Sequence, residues 1–451
     1  MAPSVTLLDR AWTPISALGQ LTHLSHLALL HSAAPDHPLS RYSYLAADPV
    51  ARISATAEGW SDAVTMMRQT TGRGPHHETR HRAVFGGGWI GWLGYELGHA
   101  LLELPRHRAP NEDVADLSFG LYDWVIRWDH HTDECALVST GIDARGVPDA
   151  QRAQERRDFV LRALERPVGA PARSYHVTMN ADLSATAYQE MVAATIEAVL
   201  NGDIFQANIS QRFTAPFRGD PVELYRRVVA ITAAPMAALL QHGSVSVISA
   251  SPELFLSVSP DGVVETRPIK GTRPRGGDAG TDRRLAEELQ ASAKDRAENV
   301  MIVDLMRNDL ARVCSPGSVR VEALCTVESH PTVHHLVSTV VGTLRPECDA
   351  LDLIGAAFPG GSVTGAPKRR ALEVIQDLEP VGRGVYTGAI GWIGLDGAMQ
   401  TNLAIRTITL AGGVASLHAG GGITARSEPV AEHAETLDKA RALIAALGGT
   451  A

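Results

Sequence analysis

Strand-like and helix-like stretches follow one another in this chain with no fixed period, and that irregularity constrains the fold more than any other feature of the sequence. Short apolar or alternating runs at residues 83–85 and 121–128 read as strands. Gly86, Gly87 and Gly88 lead into Trp89-Ile90-Gly91-Trp92-Leu93-Gly94-Tyr95-Glu96, where repeated glycine predicts a close backbone approach. Residues 148–165 read as a polar helix and 185–200 as a helix of apolar period. After a stop at Gly202-Asp203, residues 204–213, 245–250 and 254–258 read as strands. Helices are predicted over 294–313, 371–378 and 430–447. A regular strand–helix alternation is missing. The expected class is therefore α/β of the mixed, α+β kind rather than a doubly wound dinucleotide-binding sheet.

With 451 residues, the chain is long enough for two or three cores. The breaker cluster Pro167-Val168-Gly169-Ala170-Pro171-Ala172-Arg173-Ser174 is the best linker candidate. It divides the chain into expected domains at 1–170 and 180–451. Six of the seven tryptophans fall before residue 130, so the two parts also differ in composition. The net charge of -9 argues against a nucleic-acid partner, which requires a basic surface. It leaves room for an anionic substrate in a locally basic pocket. No apolar run is long enough to span a membrane, and no basic-then-apolar leader opens the chain. Cys135, Cys314, Cys325 and Cys348 form no metal or disulfide pattern, so a cytoplasmic location is expected.

Six sets of residues carry chemistry. In Phe358-Pro-Gly-Gly-Ser-Val-Thr364-Gly-Ala-Pro-Lys368, Gly360 and Gly365 have the spacing of a phosphate loop. Ala366-Pro367 stand where that loop needs its lysine and hydroxyl, which excludes it. A glycine-rich turn entering a helix can still offer backbone N–H groups to a carboxylate. In residues 294–309, Asp295 and Glu298 share a helix face. Glu432, Glu435 and Lys439 repeat that arrangement near the C-terminus. Two carboxylate pairs on two helices can hold a hard cation, Mg²⁺, or can be ordinary ion pairs. Glu265-Thr-Arg267-Pro-Ile-Lys270-Gly-Thr-Arg273-Pro-Arg275 is a basic loop, and burial beside Arg267 and Arg273 would lower the Lys270 pKa and make it a nucleophile. Ser249-Ala-Ser-Pro-Glu253 ends a strand on a carboxyl group that can act as a general acid if buried. Tyr386, Arg406 and the triplet Gly420, Gly421 and Gly422 offer a hydroxyl, a guanidinium fork and backbone donors, a set suited to a small dicarboxylate.

Taken together and in this order, these stretches resemble the chorismate-utilising enzymes, which include anthranilate synthase component I, aminodeoxychorismate synthase component I, isochorismate synthase and salicylate synthase. The matching segments are 249–253, 268–276, 294–309, 333–338, 358–368, 386–391, 402–407 and 420–440, with 29–32, 40–43 and 85–96 in the first part. The resemblance implies stacked β-sheets flanked by helices, as in anthranilate synthase component I, and a Mg²⁺-dependent site for chorismate. It implies Glu298 and Glu435 as metal ligands, supported by Asp295 and Glu432. Tyr386, Arg406 and the backbone of Gly420, Gly421 and Gly422 would clamp the enolpyruvyl carboxylate. Thr364 and Lys439 match further substrate and metal-site contacts, and Glu253 the acid that protonates the departing 4-hydroxyl. His335 matches a histidine tied to pyruvate elimination in the anthranilate branch; the aminodeoxychorismate branch carries it too. Residues 29–43 resemble the family's tryptophan-binding pocket.

Within the family, the water-using members carry a lysine where this chain has Gln206, and a neutral amide cannot abstract a proton from water. Anthranilate synthases usually carry alanine at the position of Lys270. Pro268-Ile-Lys270-Gly-Thr and the segment Asp36-His-Pro-Leu-Ser-Arg41 resemble aminodeoxychorismate synthase component I, with anthranilate synthase component I as the alternative. The resemblance implies a covalent role for Lys270 and a path from chorismate and ammonia to 4-amino-4-deoxychorismate, the precursor of 4-aminobenzoate and folate. No cysteine sits in a Gly-x-Cys-x-Gly context, so ammonia is expected from a separate glutamine amidotransferase subunit or from free ammonium.

Overall fold

Along most strands apolar side chains occur on both faces, and the structure shows why. The computed structural model describes residues 3–72, 84–106, 113–166, 177–330 and 333–448. Two large sheets, of twelve and ten strands, stack against each other, and helices cover both outer faces. Each strand is thus buried twice. In Met236–His242, Leu240 faces the inter-sheet core and Leu239 the outer helical layer. In Ala389–Gly394, Ile390 and Trp392 face inward while Ala389 and Ile393 face the helices. The period of two is present, but both sets of positions are apolar. At the centre of the inner layer Trp392 packs against Tyr44 and Phe85, with ring centroids 6.1 and 5.3 Å away.

The ladders are antiparallel. The larger sheet runs from Ser4–Leu7 through Tyr42–Ala46 and Ala28–His31 to Met236–His242. It continues through Val245–Ser251, Thr407–Ala411, Val414–Ile423 and Gln206–Pro216 to the short Gly365–Ala366. The smaller sheet joins Ile269–Pro274, Val333–Thr343 and Leu254–Val258 to Ala389–Gly394, Gly88–Leu93 and Ala51–Ala55. Leu29 pairs with Leu239 in the first sheet and Gly91 with Gly391 in the second. Both sheets therefore contain strands from before residue 170 and from after residue 180. The linker candidate at 167–174 lies outside the described residues, as does residue 83 of the strand expected at 83–85.

Residues 84 and 85 carry no regular structure; the strand begins only at Gly88–Leu93. Gly87 and Gly88 have φ of +131° and +137°, values that delay strand entry and admit only glycine comfortably. The run expected as one strand at 121–128 is two. Leu117–Tyr122 belongs to the smaller sheet and Trp124–Asp129 to the larger, so the chain changes layers at Asp123. That carboxylate is fully buried and lies 3.0 Å from Arg156 Nε.

The predicted helices are present at Ala150–Leu164, Ala185–Leu200, Ala293–Ala311, Lys368–Leu378 and Pro429–Ala446. Two of them are joined by a buried ion pair. Lys368, at the start of its helix, donates to Asp309 Oδ2 at 2.7 Å and to the Ala357 carbonyl. Asp309→Ala should cost about 3–5 kcal/mol in urea unfolding, because it strands a buried ammonium. Lys368→Met combined with Asp309→Leu should recover most of that loss, and a single Asp309→Ala variant as stable as the parent would show that the pair is not the joint between these helices.

Candidate active site

Gly420, Gly421 and Gly422 lie opposite Ser210, Ile209 and Asn208 on the neighbouring strand. The space that side chains would fill there is taken by charged and polar groups from elsewhere. A Cβ on Gly421 would lie 3.2 Å from Glu432 Oε2, 3.5 Å from Lys439 Nζ and 3.7 Å from Glu435 Oε1. One on Gly422 would collide with Gln206 Nε2 and lie 3.5 Å from Lys270 Nζ. The triplet is a bare stretch of backbone around which Glu432, Glu435, Lys439 and Lys270 gather.

Helix Ala293–Ala311 supplies Asp295 and Glu298, and helix Pro429–Ala446 supplies Glu432, Glu435 and Lys439. Glu435 pairs with Lys439 at 2.7 Å, and Lys439 also donates to the Gly420 carbonyl at 2.9 Å. Asp295 accepts from Arg273 at 3.1 Å, and Glu432 lies 3.9 Å from Lys294. Among the described residues no three His, Cys, Asp or Glu side chains already form a metal-holding group. Glu298 nevertheless has a buried Oε1 without any hydrogen-bond partner. Burial pushes its pKa up, Asp295 and Glu432 add repulsion, and Lys270 and Lys294 oppose the rise. An orphaned carboxylate oxygen among other carboxylates is a donor set that fits a hard divalent cation.

Strand Ile269–Pro274 delivers Lys270 to the opposite side of this group. Next to it Gly271 has φ +80°, and a Cβ there would press on Asp295 Cγ at 2.8 Å. Lys270 is half-buried and donates to the Ser362 carbonyl at 3.0 Å. Burial lowers its pKa; Glu298 and Glu253 oppose that shift and Lys439 reinforces it. The repulsion expected from Arg267 and Arg273 comes from Lys439 instead. Arg267 is paired with Glu328, and Arg273 with Asp295.

Ser362 also binds the candidate acid. Its hydroxyl donates to Glu253 Oε1 at 2.8 Å, and the Ile269 amide donates to the same oxygen at 3.4 Å. Burial raises the Glu253 pKa to about 7, against the pull of Ser362, Lys270 and Arg406. Arg406 is half-buried, at φ +51°. His335, near Arg406, meets Thr272 Oγ1 at 3.0 Å and is held neutral by burial, its pKa lowered to about 3. Thr364 is buried and donates to the Gly360 carbonyl at 3.0 Å. Tyr386 stacks on His418 with centroids 5.2 Å apart.

The sequence did not single out Ser362, although it lies inside the Gly-Gly-Ser-Val-Thr-Gly stretch. It also did not reveal that both amide atoms of Gln206 and Oδ1 of Asn208 are buried without partners. Alternation along Gln206–Pro216 puts the two side chains on one face, beside the glycine triplet.

The family model for chorismate binding enzymes matches residues 26–445. The chain belongs to this family. Aminodeoxychorismate synthase component 1 of Salmonella typhimurium is 38% identical over 98% of both chains. Anthranilate synthase component 1 of Streptomyces coelicolor is 39% identical over 98% of this chain and 87% of that one. Among solved structures, anthranilate synthase component I of Streptococcus pneumoniae TIGR4 superposes with a TM-score of 0.78 at 30% identity, covering 91% of this chain and 93% of that one. The stacked-sheet architecture expected from the sequence is thus the architecture of relatives as well as of this chain. No helix among the described residues is long and apolar enough to cross a membrane.

The raised Glu253 pKa of this chorismate binding enzyme has a stability cost with a definite sign. A carboxyl group whose folded pKa lies above its unfolded value, 4.5 against about 7, favours the folded state below pH 4.5 and loses that contribution as the pH rises through 7. Glu253→Gln keeps the acceptor for Ser362 and removes the ionisation. It should be more stable than the parent at pH 8 by about 3 kcal/mol, with the gap closing towards pH 4.5. Equal thermal stability of the two proteins at pH 8 would show that Glu253 ionises freely.

Proposed function

We propose that the chain is component 1 of an aminodeoxychorismate synthase, converting chorismate and ammonia to 4-amino-4-deoxychorismate. The observation that carries this reading is the placement of Lys270. Its amine lies 3.5 Å from where a Cβ on Gly422 would stand, its pKa is lowered by desolvation, and it shares Ser362 with a carboxyl group whose pKa is near 7. A lysine is a nucleophile only after losing its proton, and a carboxyl group is an acid only while holding one. Burial drives both in the required direction.

The residues then take the following roles. Arg406, Tyr386 and the Gly420–422 backbone hold the substrate's enolpyruvyl carboxylate, with Thr364 as a further substrate contact. Glu298 and Glu435, supported by Asp295 and Glu432, hold Mg²⁺, which when bound neutralises the ring carboxylate. Lys270 Nζ forms a bond to C2 while the ring double bonds shift and the C4–oxygen bond breaks. Glu253 gives its proton to the leaving hydroxyl, which departs as water. Ammonia then bonds to C4, the double bonds shift back, and the C2–nitrogen bond breaks to return Lys270. The amine ends para to the ring carboxylate.

Ammonia comes from a glutamine amidotransferase subunit. In this chain burial pushes the thiols of Cys135 and Cys314 up to about 12 and about 11, far from a glutaminase nucleophile, and neither has a catalytic surrounding. All four thiols are free, in keeping with a reducing cytoplasm. The similarity to the Streptomyces coelicolor anthranilate synthase favours a second reading, direct addition of ammonia at C2 to give anthranilate. Lys270 occupies the approach that this addition would use.

Lys270→Ala removes the covalent nucleophile. With chorismate, Mg²⁺ and ammonium, the variant should lose at least about a hundredfold in para product, with residual amination shifted to C2. The parent should make the para product from ammonium and none from glutamine alone. A variant producing 4-amino-4-deoxychorismate at the parent rate would overturn the covalent role, and anthranilate from the parent would overturn the branch. For the cation, Glu298→Gln should weaken Mn²⁺ binding, read by electron paramagnetic resonance, by at least about tenfold without loss of thermal stability. Unchanged Mn²⁺ affinity would remove Glu298 from the metal site.

A further inference from the structure

Arg383 is completely buried behind the proposed carboxylate clamp, and nothing in the chemistry above uses it. Its guanidinium makes five hydrogen bonds. Two run as a fork to Glu379, at 2.9 and 2.7 Å. One goes to the Asn208 carbonyl at 2.6 Å, one to the Val363 carbonyl at 3.0 Å and one to Thr387 Oγ1 at 3.3 Å. Glu379 Oε1 also accepts from the Ser210 amide at 2.7 Å and the Ser210 hydroxyl at 2.9 Å. The backbone is held as firmly: Glu96 accepts from the Arg383 amide at 2.6 Å and the Gly384 amide at 3.0 Å. The guanidinium lies 4.4 Å from the centre of the Tyr95 ring.

Four of these partners, counting Ser210 through Glu379, adjoin a residue of the substrate site. Asn208 and Ser210 pair with Gly422 and Gly420. Val363 precedes Thr364. Thr387 follows Tyr386 and has φ +60°, a conformation that a β-branched residue keeps only when its surroundings enforce it. The Tyr386 amide donates to the Arg383 carbonyl at 3.2 Å. A buried ion pair is a weak source of stability, since apolar side chains of similar volume often serve as well. Apolar side chains cannot fix two carbonyls, a hydroxyl and a strand amide at set angles, which a planar fork paired with a carboxylate can.

We propose that Arg383, paired with Glu379, is a positioning residue that holds the glycine-bearing ladder, Thr364 and Tyr386 in the one arrangement that receives the substrate's carboxylate. The proposal rests on the reading of Tyr386 as part of the clamp. The test uses the full chain, with ammonium as nitrogen donor, and compares Arg383→Lys, Tyr386→Phe and the double variant. Arg383→Lys keeps the charge but replaces the fork with a single ammonium. It should raise the KM for chorismate at least about tenfold while kcat stays within about threefold. Because part of its action runs through Tyr386, the double variant should raise KM by clearly less than the product of the two single effects. Parent KM in Arg383→Lys, or multiplicative effects in the double variant, would overturn the positioning role alone. Parent KM in Tyr386→Phe would overturn the clamp reading, and the proposal with it. Should Arg383→Lys fail to fold, Glu379→Gln breaks the same fork more gently and is held to the same thresholds.

Discussion

Gln206–Pro216 and Val414–Ile423 form a ten-residue antiparallel ladder between segments some two hundred positions apart in sequence. Its register decides whether the site exists. With Asn208 opposite Gly422 and Ser210 opposite Gly420, the bare backbone lies where three layers deliver their groups. Helix Pro429–Ala446 contributes Glu432, Glu435 and Lys439, the smaller sheet contributes Lys270, and the turn before Gly365–Ala366 contributes Ser362 and Thr364. A slip of one residue would turn the side chains of Gln206 and Asn208 to the other face. On that face Ala207 and Ile209 pack with Tyr188, Ile375 and Ile423, and the loss of that apolar packing opposes the slip.

Much of this was legible in the sequence, and the reasons differ by element. Helix Ala185–Leu200 and strand Leu254–Val258 fell on their expected residues, because Ser184 caps the one and proline and glycine punctuate the other. The layer change at Asp123 was not legible: strands buried on both faces read as one continuous apolar run, and nothing local marks where one sheet is left for the next. The carboxylates of the two helices could be paired by spacing alone. The approach of Glu432 to Lys294 and Glu298, and the orphaned Oε1 of Glu298, depend on how helices Ala293–Ala311 and Pro429–Ala446 pack on the sheets, which no spacing records. Ser362 escaped notice for a related reason. Its value comes from standing between Glu253 and Lys270, which are themselves in two different strand–turn segments.

The opposed demands on Glu253 and Lys270 follow from one environment. Their mutual attraction favours a carboxylate and an ammonium, the pair that would form in water and would be chemically inert here. Burial penalises both charges at once and pushes each group towards its neutral form, raising one pKa to about 7 and lowering the other. The balance is delicate, because a substrate carrying two carboxylates raises both values. That shift keeps the proton on Glu253 but works against its loss from Lys270. Lys439, 2.7 Å from Glu435 and 2.9 Å from the Gly420 carbonyl, is the positive charge that opposes the shift at Lys270. The carboxylates at this site therefore act on Lys270 in two opposed ways: Glu298 and Glu435 raise its pKa directly, while Glu435 also holds Lys439, whose charge lowers it.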